Sequence, residues 1–370
     1  MTSNRRPDLW RDKSILAPMV RVGTLPLRLL ALKHGAGLVY SPEIVDKAII
    51  GSRRVLNGAL GTVDFVREGR LVFRTHPSEK DRLVFQIGSS DPALALEAAR
   101  LVQHDVAAVD LNCGCPKKFS TQAGMGAALL RTPELLCSIL RSLVEGCAVP
   151  VSAKIRLFLP PHMEHTESLI EAILQSGVSA LAIHARDPGE RSERHPAHWD
   201  LFRSLASGFH RANQRLYARA EDRATLILNG DVGLKDGCSH EPGWLLQQVL
   251  ADAQASSFMI ARAAQWNVSL FATGFTTPTP PLSVTAVTRE YLVTAVRTGN
   301  HWNNTKYVLQ QMWNRVAAEA SGTERAAALR LVSGLQRCRS TAELTGLFGV
   351  PLDAQFQEDA LMDAEDGPEP

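Results

Sequence analysis

The chain has 370 residues, 45% hydrophobic and 21% charged, with 40 Lys and Arg against 38 Asp and Glu. That composition excludes a disordered or fibrous chain, and no apolar run approaches the roughly 18 residues that a membrane helix needs. The net charge of +2 does not by itself announce nucleic-acid binding. Residues 1–13 lack the apolar stretch of a secretory signal, and Asp8 and Asp12 among early arginines oppose a mitochondrial presequence. Six scattered cysteines make no disulfide framework. The expected setting is reducing: the cytoplasm, with the nucleus left open.

Short Val-, Ile-, Leu- and Ala-rich runs, each followed by a helix signal, occur at 15–19, 38–41, 83–87, 107–111, 151–155, 180–183, 225–228 and 258–261. Continuous apolar runs suit parallel strands covered on both faces, and eight such βα units predict an α/β fold, a (β/α)8 TIM barrel. Between the second and third units, 63–66 and 71–74 flank Arg67-Glu68-Gly69-Arg70 and predict an inserted β-hairpin. Asp91 before Pro92 and Thr132 before Pro133 predict helix starts with a capping oxygen. The barrel is expected to fill 1–275, ending at the Pro-rich run 276–281. A helical domain is expected over 282–350, its last helix opened by a Ser340 to Glu343 capping box. Residues 281–340 carry eight Lys or Arg against three acids, whereas 351–370 form an acidic tail expected to be disordered.

In such a barrel the chemistry lies at the carboxyl ends of the strands. Those ends carry Pro18, Glu43, Gln86, Asn112 to Pro116, Lys154, His184, Asn229 to Asp231, and Ala261-Arg262. Gly230 and Arg262 suit a phosphate, since glycine admits close backbone approach and arginine adds a forked donor; a plain turn is the alternative. Lys154, inside an apolar strand, calls for an anion such as the edge of a reduced flavin, or for an ion pair with Glu43. His184 could meet a ring edge or be structural. Cys115, beside Lys117 and Lys118, could be a reactive thiol acting as a general acid, or a packed residue. The paired histidines lack the ligand sets of metal sites, so no metal is expected, and no dinucleotide fingerprint appears.

Ala17-Pro18-Met19-Val20-Arg21-Val22-Gly23-Thr24, Asp110-Leu111-Asn112-Cys113-Gly114-Cys115-Pro116-Lys117 and Gly124-Met125-Gly126 resemble the tRNA-dihydrouridine synthases. Leu29 to Leu32, Thr62 to Val66 and Ala263 to Asn267 are similar to the eukaryotic Dus2 branch, which acts on uridine 20 of the tRNA D-loop. The resemblance covers roughly residues 13–350. It implies an FMN-bearing barrel, NADPH as reductant, tRNA as partner, and a helical domain that recruits it. It makes Cys115 the proton donor, and gives FMN to Pro18, Met19, Val20, Glu43, Gln86, Lys154, His184, Asn229, Gly230, Asp231, Ala261 and Arg262. Asn112, Lys117 and Arg186 would face the uridine, and the protein is expected to be a monomer.

Three features depart from the family pattern. Cys113 stands where a non-thiol is usual, Gln122-Ala123 precedes Gly124 where lysine and glycine are typical, and no double-stranded-RNA-binding domain follows the helices. The tRNA affinity is therefore expected from the barrel rim and basic helices. Two other readings fit the same residues less fully: an FMN barrel reducing a small enone or pyrimidine, and a tRNA-binding protein whose barrel has lost catalysis.

Overall fold

The structure is a computed structural model. It describes residues 4–191, 194–235, 239–240, 250–251, 253–273 and 280–351. Eight parallel strands close into a ring: β1 (Ser14–Leu16), β2 (Leu38–Tyr40), β3 (Leu83–Gly88), β4 (Ala108–Cys113), β5 (Val151–Arg156), β6 (Ala180–His184), β7 (Thr225–Asn229) and β8 (Ser257–Ile260). Pairing of Val39 with Leu83 and of Ile15 with Met259 joins the ring at both sides of β1 and β2. All eight lie where the apolar runs place them. β1 stops short of the expected 19 because Pro18 has no N–H to continue the ladder. Pro42 likewise interrupts the second position, where pairing resumes at Ile44–Val45 and leaves Glu43 at the break.

Helices α1 (Leu25–Lys33), α2 (Pro92–Val102), α3 (Pro133–Gly146), α4 (Met163–Gln175), α5 (Trp199–Leu216) and the short α6 (Arg262–Trp266) surround the ring. Asp91 caps α2 by accepting from the N–H groups of Ala93 and Leu94. Thr132 corrects the parallel expectation, since its side chain caps nothing and Pro133 alone sets the start of α3. Leu136, Ile139, Leu140 and Leu143 are fully buried against the strands.

Inside the ring, Ile15, Leu38, Val84, Ile227 and Met259 pack around Trp10 and Tyr40. Alanines at 108, 180 and 182 leave the volume that these two large rings fill. Thr225 Oγ1 donates to the Pro7 carbonyl at 2.8 Å and Lys13 N–H to Ser257 Oγ at 3.0 Å, so the N-terminal segment seals that end of the barrel.

The insertion contains the expected hairpin, Thr62–Arg67 and Arg70–Thr75, with Glu68 and Gly69 both at positive φ in the turn. It also contains a third strand, Arg53–Asn57, paired to the first. That edge strand is exposed along both faces and so has no alternating pattern to betray it. Arg28 and Glu79, both buried, form a two-pronged ion pair at 2.9 and 2.7 Å beneath the insertion.

Four C-terminal helices follow: α7 (Val284–Arg297), α8 (Trp302–Glu319), α9 (Gly322–Arg337) and α10 (Thr341–Leu347). Ser340 accepts from Glu343 N–H as the capping box requires, and Glu343 returns its bond to Arg339 N–H. The helices sit on α1, where Glu290 holds both Lys33 and His34 at 2.8 Å. Most of the expected linker, and the acidic tail from 352, lie outside the described residues.

Candidate active site

At the carboxyl ends of the strands lies a cavity of about 480 Å³. Pro18 and Val20 after β1, Glu43 after β2, Gln86 on β3, Asn112 on β4, and Cys115 and Lys117 after it line one side. Lys154 on β5, His184 and Arg186 at β6, Asn229, Gly230 and Asp231 at β7, and Ala261 and Arg262 at β8 complete the wall. Of the expected residues only Met19 is absent from the lining. Its carbonyl accepts the N–H groups of Val22 and Gly23, and its side chain packs on the core. Among the described residues, six cations (Arg21, Lys117, Lys154, Arg156, Arg186 and Arg262) and two carboxylates (Glu43 and Asp231) line the cavity.

The β4 end holds the thiol. Asn112 Oδ1 accepts from the N–H groups of both Gly114 and Cys115 at 3.0 Å, which folds the loop back under the cavity. Asn112 Nδ2 donates to Gln86 Oε1 at 3.1 Å, and Gln86 Nε2 to Asp110 Oδ2 at 2.8 Å. Ser152 donates to the other Asp110 oxygen at 2.6 Å; Tyr40 meets Ser152 at 3.3 Å and accepts from Trp10 Nε1 at 2.9 Å. A carboxylate only accepts, so ionised Asp110 fixes the direction of both amides. Burial pushes Asp110 up to about 6, against the pull of Ser152, Gln86 and Lys154.

Burial, and then the charge of Glu43, raise the Cys115 thiol, so it stays protonated at neutral pH. Cys113 points into the outer core and is fully buried, so this departure from the family pattern lies outside the cavity lining. Glu43 accepts from Ser120 at 3.1 Å, and burial raises its carboxyl against the pull of hydrogen bonds from Ser120 and Cys115.

Lys154 does not pair with Glu43; among the described residues its ammonium makes no hydrogen bond or ion pair. Burial, with Arg156 alongside, lowers it to about 8. His184 is driven down by burial and by the positive charges of Lys154, Arg156, Arg186 and Arg262, so its ring is neutral. Asp231 does not face the cavity alone. It receives Arg186 at 2.5 Å, Arg262, and the Ala197 N–H at 2.8 Å, and so holds the two guanidinium groups in place. Gly230 has φ +109, and a Cβ there would stand 2.9 Å from His184 Cδ2. Only glycine fits that approach.

The lining also includes residues not singled out from sequence as site residues, among them Arg21, Arg156, Phe119 and Tyr307. Arg156 was legible, since it lies two residues after Lys154 and period two puts both on one face. Its Nη1 donates to the Asp187 carbonyl at 2.9 Å. Tyr307 comes from α8, and no local signal in a helix foretells which barrel loop it will meet.

These groups suit a phosphorylated, partly anionic ring cofactor: an unpaired lysine on the strand, a glycine cradle after β7 flanked by arginines after β6 and β8, and a thiol lining the same cavity. The dihydrouridine synthase family profile matches residues 15–333. The chain belongs to the dihydrouridine synthase family. The chain is 41% identical over 313 residues to the NAD(P)+-type tRNA-dihydrouridine(20) synthase of Schizosaccharomyces pombe, covering 82% of this chain and 60% of that protein. It is 39% identical over 324 residues to the Saccharomyces cerevisiae protein of the same name, covering 82% and 77%. With tRNA-dihydrouridine synthase B of Xanthomonas axonopodis it shares 30% over 280 residues, 73% of each chain. The chain therefore spans less than two thirds of its fission-yeast relative.

Proposed function

We propose that this protein reduces the C5–C6 double bond of a D-loop uridine in tRNA, at position 20, with FMN in the barrel mouth and NADPH as reductant. The observation that carries this reading is the cavity itself, whose wall brings together a protonated thiol, an unpaired lysine and a two-arginine anion site. Lys154 and His184 would hold the ring, Gln86 and Asn229 its polar edge, Pro18, Met19, Val20, Glu43 and Ala261 its surroundings, and Gly230 and Arg262 the phosphate, with Asp231 fixing Arg262. Bound there, the flavin supplies the hydride that goes to C6 of the base. Cys115 holds the proton that goes to C5, and its raised affinity for that proton keeps it loaded at neutral pH. Asn112, Lys117 and Arg186 orient the base, which must leave its stack to enter.

The two relatives named for uridine 20 support the position, and their shared NAD(P)+ designation supports a nicotinamide reductant. The division of labour follows: 1–275 as catalytic barrel and 282–350 as the tRNA-recruiting helices, in a monomer working in the cytoplasm, with the nucleus left open.

The test is anaerobic. The protein is reduced with NADPH, and flavin reoxidation is followed on adding unmodified tRNA, with Cys115→Ala alongside. Wild-type flavin should reoxidise as dihydrouridine forms, and the variant should keep its flavin but react about 10²–10⁴-fold more slowly. Reoxidation by small enones alone would make the protein a small-molecule reductase, and absence of any flavin would leave a tRNA-binding protein.

A further inference from the structure

At the mouth of the cavity, Arg21 has φ +66, a conformation that non-glycine residues rarely adopt. It is held there from two sides. Val22 and Gly23 donate to the Met19 carbonyl at 3.2 and 2.8 Å, and Asn304 Nδ2 of α8 donates to the Arg21 carbonyl at 2.7 Å. Asn304 cannot turn over, because its Oδ1 already receives Thr24 Oγ1 and Asn300 Nδ2, each at 3.1 Å. The Arg21 guanidinium lies 4.0 Å over the Tyr307 ring. Among the described residues it makes no hydrogen bond or ion pair, and the residue is exposed.

A strained backbone locked by an oriented amide, presenting a flat unpaired cation on an aromatic base, is more than adhesion between barrel and helices. The Asn304 bonds already provide that adhesion. A guanidinium backed by a ring is a stacking surface for nucleobases. We propose that the Arg21–Tyr307 pair is a stacking platform for the base next to the target uridine in unpaired RNA. This deepens the functional reading above and rests on it. A uridine drawn into the cavity leaves its neighbour without a stacking partner, and the platform replaces that partner at the rim.

The experiment measures binding of tRNA transcripts to the flavin-loaded protein, with an intact D-loop or an abasic site beside the target uridine. Arg21→Asn tolerates the left-handed backbone and is the primary variant. It should weaken intact tRNA about tenfold, within the range of one base stack. The abasic site should weaken the wild type equally, and the two losses should not multiply. Arg21→Lys keeps the charge without the plane and should behave like Arg21→Asn. Flavin content, melting temperature and flavin reduction by NADPH should not change. Wild-type binding by Arg21→Lys, or losses that multiply, would assign Arg21 to a phosphate and overturn the platform. Normal dihydrouridine formation by wild type with undiminished binding by Arg21→Asn would sink the platform alone, whereas wild-type flavin that tRNA cannot reoxidise would sink the functional reading.

Discussion

At the amino-terminal end of the barrel, residues 4–13 fold across the opening, and Trp10 is wholly buried among alanines and aliphatic side chains. At the carboxyl-terminal end, six cationic groups surround an open cavity. The two ends share one ring of strands, so the contrast shows where apolar packing was spent on holding the fold and where it was withheld for a ligand. They are also joined: hydrogen bonds run from Trp10 through Tyr40, Ser152, Asp110 and Gln86 to Asn112.

Removing the plug should have the largest effect. Trp10→Ala should destabilise the protein by about 3–5 kcal/mol through the void it leaves, read as a lower denaturant midpoint. A loss under about 1 kcal/mol would mean that the sealed end contributes little. Asp110→Asn probes the connection. The fold raises this carboxyl to about 6 from 3.8, so its ionisation opposes folding, and stability should fall as pH rises from about 4 to 6. The amide should abolish that slope and add about 1–3 kcal/mol above pH 6. An unchanged slope would clear Asp110 of the cost.

The smallest effect concerns the helices. Arg325 and Arg330 are exposed on α9, and reversing both to Glu should weaken tRNA binding several-fold with flavin retained and with a shallower salt dependence. Binding that is unchanged in low salt would remove α9 from the RNA surface. Arg315, which sequence groups with them, is a different case. It stacks 4.1 Å over Trp266 and pairs with Glu319, so its reversal should cost stability rather than affinity for RNA.

Much of this was legible before the fold. Strands covered on both faces announce themselves as continuous apolar runs, and their polar ends fall on the cavity because a parallel barrel turns every strand end to one side. Cys115, Lys154, Gly230 and Arg262 were found that way. What escaped has a physical reason in each case. The strand Arg53–Asn57 buries no face; Thr132 has a capping side chain that the backbone does not use; Asp231 reads as a ligand group but is taken by two arginines. Arg21 and Tyr307 meet across 286 positions of chain, and such a meeting is written in tertiary packing rather than in any local pattern.

Tyr307 has a consequence for chimeras. Because a side chain from the helical region forms part of the cavity wall, the two halves of this protein cannot be exchanged with those of a relative as independent modules. A graft that replaces α8 replaces a piece of the pocket, and loosens the Asn304 anchor that sets Arg21 at its mouth.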